Sequence, residues 1–353
     1  MIASPKTLYQ LADRVRNAAW VAIDTEADSR HCYFEKICLL QVSHPDGDEL
    51  VDTLAGLDLS PLLASLNGKT LMLHGADYDL RLLRRTYEFV PAAIFDTDVA
   101  ARLVGIPQTG LGSLVERFFG IHMEKASQKA DWARRPLTEN MLAYAVADTH
   151  HLKPLVDILR AELERLGRLE WMEQSCADVI RRSAITRERD PYTEWRVTGA
   201  SKLSRHGLAV LREVWTWRDR EAQAVDRPPF HILMNERLVM IAAAAADGKP
   251  IVPLIPQRMP TARRQRLLDA VHHGLKIGPE SLPVIPRGQR QRTTRVQLKH
   301  LEELKAVRDA KALALGIEPS LIASRATLEA LAQDRAANIG RLLPWQRELL
   351  GLN

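Results

Sequence analysis

Sliding the 353-residue sequence along itself by 90 positions brings nine identities into one frame, which confines the second half of the chain to a duplicated fold. Leu208, Leu211, Arg218, Asp219, Ala222, Ala224, Pro229, Leu238 and Ala242 recur as Leu298, Leu301, Arg308, Asp309, Ala312, Ala314, Pro319, Leu328 and Ala332. A period of this kind marks one supersecondary unit used twice. Residues 201–285 and 295–353 are therefore read as two copies of a small all-helical domain, joined by a basic linker at 286–294 rich in Pro, Gly and Arg.

Residues 1–176 have a different texture. Short β-rich runs at 20–23, 37–42, 49–52 and 70–74 alternate with amphipathic patterns at 80–87, 99–104, 111–119 and from 138 to about 166. That order predicts a mixed α/β domain built on one sheet and flanked by helices, followed by a linker at 177–200. Charge divides the same way: residues 1–180 carry 19 Lys and Arg against 26 Asp and Glu, residues 181–353 carry 30 against 18. A basic half is suited to a polyanion, whereas an acidic half needs cations before it can approach one. Cys32, Cys38 and Cys176 lack CxxC spacing, which argues for reduced, buried thiols over disulfides or a thiolate zinc site. No apolar run approaches the roughly 18 residues of a membrane span and the start lacks a secretory pattern, so no membrane role and a cytoplasmic location are expected.

Four carboxylates stand where carboxylates are costly. In WVAIDTEAD the pleat puts Asp24 and Glu26 on one face at the end of an apolar strand, where two buried like charges require compensation. In LMLHGADYDL an apolar strand ends at a glycine turn; Asp77 is read as a plain helix cap and Asp79, one turn nearer Leu82 and Leu83, as the functional acid. The seam Met141, Ala145, Asp148, Leu152, Leu155, Leu159 is interrupted by Asp148, with Tyr144 one turn away on nearly the same face. Oxygen ligands with no His or Cys suit Mg2+ or Mn2+, and two such ions about 4 Å apart clamp a phosphodiester. The adjacent pairs His150–His151 and His272–His273 lack the spacing of a histidine zinc site.

These segments resemble the DEDD superfamily of 3′→5′ exonucleases and, within it, ribonuclease D. IDTEAD matches the first motif, HGADYDL the second and YAVADTHHL the third, and the position of Tyr144 four before Asp148 selects the tyrosine branch. KASQKADWARRPLTENMLAYA is similar to the stretch leading into the third motif. Both helical copies resemble HRDC domains, the second more distantly. Ala27 stands where the family commonly has an aromatic residue.

The resemblance implies a ribonuclease H-like catalytic domain at 1–176. Asp24, Glu26, Asp79 and Asp148 would hold two divalent ions, Mg2+ or Mn2+, and Tyr144 would orient and help deprotonate the attacking water. It implies an enzyme that trims the 3′ ends of transfer-RNA precursors and other small structured RNAs, releasing nucleoside 5′-monophosphates; the oligomeric state is left open, a monomer being the favoured reading. Lys125, Lys129, Arg134 and Arg135 are the candidate phosphate contacts near the third motif. Arg258, Arg263, Arg264, Arg266, Arg287, Arg290, Arg292 and Arg295 are candidates for gripping RNA beyond the site. The residues leave open a DNA 3′→5′ exonuclease and a catalytically dead nucleic-acid-binding scaffold, the latter opposed by the intact five-residue set.

Overall fold

An apolar run that is buried on both faces makes a central strand, and β1 (Val21–Ala27) is the middle of five. The computed structural model describes residues 1–124, 127–185, 190, 192–284 and 294–352. β2 (Ile37–His44) and β3 (Gly47–Asp52) extend the sheet from one edge of β1 as an antiparallel meander. β4 (Thr70–Leu73) and β5 (Ala93–Asp96) extend it from the other in parallel, giving the order β3-β2-β1-β4-β5. The sheet is mixed and helix-flanked, as expected; β5 is the strand the sequence did not show.

α1 (Pro5–Asn17), capped by Ser4, packs on α2 (Ser60–Ser65). α3 (Asp77–Tyr87) follows β4, and α4 (Thr97–Leu103) follows β5. After α5 (Leu111–Phe119) come α6 (Glu139–His150), α7 (Leu152–Arg165) and α8 (Leu169–Arg182). The single helix expected from 138 to 166 is two, because Pro154 has no N–H for the carbonyl of His150 and sits where the first turn of a new helix tolerates it.

The two helical copies share local chemistry as well as sequence. α9 (Arg205–Ala224), α10 (Pro229–Ile232) and α11 (Asn235–Ala246) correspond to α13 (Arg295–Leu315), α14 (Pro319–Ile322) and α15 (Arg325–Gln333), with α12 (Thr261–Leu275) between the sets. Ser204 caps α9 as Thr294 caps α13. Arg218 donates to the carbonyl of Leu233 at 2.9 Å, and Arg308, 90 residues on, to that of Ala323 at 3.1 Å.

The chain nonetheless forms two compact units that separate the copies. One comprises Met1–Ala27, Lys36–Thr186 and Arg290–Asn353; the other comprises Asp28–Glu35 and Arg187–Gln289. In the first, the second helical copy shares the core of the sheet domain. Trp345, on α17 (Pro344–Leu350) after the short α16 (Arg335–Asn338), stacks on Trp171 with centroids 5.0 Å apart and planes 13° from parallel. Arg168 ties the same seam by donating to the carbonyls of Leu103 and Leu315. The second unit has its own core around Trp195, Leu211, Val214, Trp217, Ile241 and Leu267. Among the described residues no helix is long and apolar enough to cross a membrane.

Candidate active site

β1 brings Asp24 and Glu26 to one face, opposite Gln41 and Leu39 of β2, while the intervening Thr25 points the other way and is buried. α6 packs across β1, β2 and β3 and lowers Asp148 toward the same place. One carboxylate oxygen from each of Asp24, Glu26 and Asp148 lies within 4.8 Å of the others. Asp79 stands beside this trio, on the first turn of α3. Its Oδ1 accepts from the Thr25 amide at 3.1 Å and the Thr25 hydroxyl at 2.5 Å. Gln41 Nε2 donates to Asp24 Oδ2 at 3.3 Å, and the Tyr144 hydroxyl hydrogen-bonds Asp148.

The electrostatics are those of an uncompensated anionic cluster. Burial and, after it, the charges of Asp79, Asp148 and Glu26 hold the Asp24 carboxyl well above the usual carboxylate range. Burial, then Asp148 and Asp79, push Glu26 up to about 9. Asp148 is raised to about 7, mainly by burial with the Tyr144 hydrogen bond opposing it, and Asp79 to about 6, mainly by burial with Thr25 opposing. Burial and the three nearby carboxylates raise the Tyr144 phenol further above its ordinary value. Clustered hard oxygens whose charges are relieved only by protons fit divalent cations, which remove the repulsion and the desolvation cost together.

Several supporting groups were invisible to sequence reasoning. Asp96, buried at the end of β5, accepts from the amides of Gly75 and Ala76 at 2.9 and 2.8 Å and so fixes the turn that launches α3 and Asp79. Trp132 packs on the Tyr144 ring with centroids 6.1 Å apart. At the far end of α6, Thr149 hydrogen-bonds Ser43, Ser43 donates to Asp48, and Asp48 meets His150 at 2.7 Å, pinning the helix to the β2–β3 hairpin. The one signal was at Ser43, a polar residue within the mostly apolar β2.

Three readings from the sequence change. Asp77 does not cap α3; it is exposed and pairs with Arg81 one turn later. Arg135 is not available to phosphate. Its guanidinium forms a two-pronged bond with Asp52 and donates to the carbonyls of Cys38 and Trp132, which clamps the loop bearing Trp132 onto the sheet. Arg263 and Arg266 are both bound to Glu221, and Arg264 reaches the carbonyls of Pro256 and Gln257. Lys129 and Arg134 are exposed. Arg258 and Arg295 are exposed too, whereas Lys125, Arg287, Arg290 and Arg292 lie outside the described residues.

Residues 1–164 match the 3′–5′ exonuclease family and residues 207–247 the HRDC domain. The chain is 33% identical to ribonuclease D of Gluconacetobacter diazotrophicus, over 99% of this chain and 90% of that one. It is 32% identical to ribonuclease D of Acidiphilium cryptum, over 99% and 91%. The chain belongs to the ribonuclease D family. Its fold superposes on the crystal structure of Escherichia coli RNase D, an exoribonuclease involved in structured RNA processing, with a TM-score of 0.72 and 25% identity over 99% of this chain and 98% of that one. Like the ribonuclease D proteins it matches, this chain is a hydrolytic 3′→5′ exoribonuclease, and its acidic cluster falls in the exonuclease region.

Proposed function

We propose that Asp24, Glu26, Asp79 and Asp148 hold two divalent ions, Mg2+ or Mn2+, and that the enzyme trims the 3′ ends of transfer-RNA precursors and other small structured RNAs, releasing nucleoside 5′-monophosphates. The observation that carries this reading is the convergence of acidic oxygens from β1 and α6 in one half-buried place, with the Asp79 charge of α3 close beside them. When bound, the ions supply Lewis acidity to the attacking water and the leaving 3′ oxygen. The protein's part is to keep the oxygens in register. Thr25 fixes one oxygen of Asp79, Gln41 orients Asp24, and Tyr144 steadies Asp148. Because its phenol is held above its ordinary value, Tyr144 keeps its proton at neutral pH. It is placed to orient the attacking water by hydrogen bonding, beside the carboxylates that would hold the ions.

The test is hydrolysis of 5′-labelled RNA and DNA strands of one sequence with Mg2+, Mn2+ or chelator, resolved at single-nucleotide steps. The expected result is stepwise shortening of RNA from the 3′ end with either ion, release of 5′-monophosphates, and silence in chelator. Internal cuts, or activity in chelator, overturn the proposal. A transfer-RNA precursor with a 3′ extension, shortened to a defined end, tests the substrate class.

A further inference from the structure

Two residues beyond Glu26 the chain enters the second compact unit, where Asp28–Glu35 packs with Arg187–Gln289. The Tyr33 hydroxyl donates to Asp219 at 2.7 Å and accepts from Gln223 at 3.0 Å. The amides of Tyr33 and Phe34 both donate to Asp226, at 2.9 and 3.0 Å. These bonds fix two aromatic rings, 5.0 Å apart and edge to face, on the rim of a cavity of about 540 Å³. Trp215, Arg220, Gln223, Glu194, Thr216 and Asp219 complete its lining.

Phe34 is 61% exposed, although a large apolar side chain held by its own backbone has no structural need to face water. Arg220 is exposed as well, with no carboxylate partner among the described residues. Glu194 and Asp219 disfavour a phosphate inside the cavity, whereas a nucleobase is uncharged and has two stacking faces. The unit as a whole is basic, with 18 Lys and Arg against 13 Asp and Glu, so an RNA backbone is attracted to its surface.

We propose that this cavity receives one unpaired base of the RNA substrate, stacked against Phe34, Tyr33 and Trp215, with Arg220 on the adjoining phosphate. Stacking of this kind tolerates any base, which suits an enzyme that must hold many sequences. The proposal rests on the chain acting on RNA and adds a contact remote in kind from the acidic site.

The experiment uses the full chain carrying Asp148→Asn, in chelator, with single-stranded RNA bearing 2-aminopurine at successive positions from the 3′ end. Stacking quenches this base, so emission should fall at one or two positions and be constant elsewhere. Phe34→Ala should restore emission at those positions, and Phe34→Ala and Arg220→Ala should each weaken binding about ten-fold. Phe34→Trp should bind like the parent chain, which separates loss of the ring from loss of the fold. Blunt duplex RNA, with no unpaired base to give, should bind all variants alike. Unchanged emission at every position, parental affinity in both alanine variants, or equal weakening toward duplex would each overturn the proposal. Hydrolysis by the unmutated chain is measured in parallel: its absence strikes the exonuclease reading, whereas hydrolysis with a silent Phe34 strikes the cavity alone.

Discussion

Asp148→Asn should make the metal-free protein more stable while abolishing hydrolysis. Burial and the Asp79 charge raise Asp148 from 3.8 to about 7. At about 1.4 kcal/mol per pH unit, ionising it in the folded state costs on the order of 4 kcal/mol, and because the neighbouring acids share protons about 2–4 kcal/mol is the expected gain. Asparagine keeps the shape and can still accept from Tyr144. The sign follows from where the proton sits. Below pH 4 both folded and unfolded states are protonated and the variant gains nothing. From pH 4 to 7 the unfolded chain ionises first, so the gain grows, reaching about 1.5 kcal/mol near pH 5 and levelling off above pH 7. Urea unfolding of both proteins in chelator at pH 5 and pH 8, followed by the fluorescence of the sheet-bearing unit, measures the difference. A variant that is less stable at both pH values would mean that Asp148 is a structural residue, and one that still degrades RNA would remove it from the site.

Tyr144→Phe should slow turnover at least ten-fold with affinity for Mn2+, measured by calorimetry, unchanged; an unaltered rate would exclude the hydroxyl from water positioning. Affinity for Mn2+ should itself rise with pH between about 6 and 9, because Asp79, Asp148 and Glu26 must release protons to bind, and a flat profile would contradict the raised carboxylates. Trp345→Ala should destabilise the sheet-bearing unit by about 3–5 kcal/mol, since it empties a stack shared with Trp171; melting that leaves this unit untouched would show that the second helical copy is an independent appendage.

The acidic cluster was legible because each member broke a strong local pattern. Asp24 and Glu26 close an apolar strand, and Asp148 breaks a heptad-like seam, so burial cost alone singled them out. What the chain concealed depended on partners far along it. Arg135 looks like one basic residue among several until Asp52, 83 positions earlier, is found within its reach. Strand β5 is four residues long and lies just after Pro91, too short for alternation to register. The duplication was plain at the level of sequence, but the corresponding carbonyl bonds of Arg218 and Arg308 say nothing about what lies outside each copy. Only the fold shows one copy sharing the core of the sheet domain.

That unequal fate of two related copies bears on how chimeric enzymes of this family should be cut. A graft of the first HRDC copy taken at its obvious borders would leave behind Asp28–Glu35, whose Tyr33 and Phe34 are bonded to Asp219 and Asp226 of that copy. The transplantable cassette is therefore discontinuous, two pieces of chain that must travel together. The second copy offers no such cassette, because any graft boundary there would slice through a common interior.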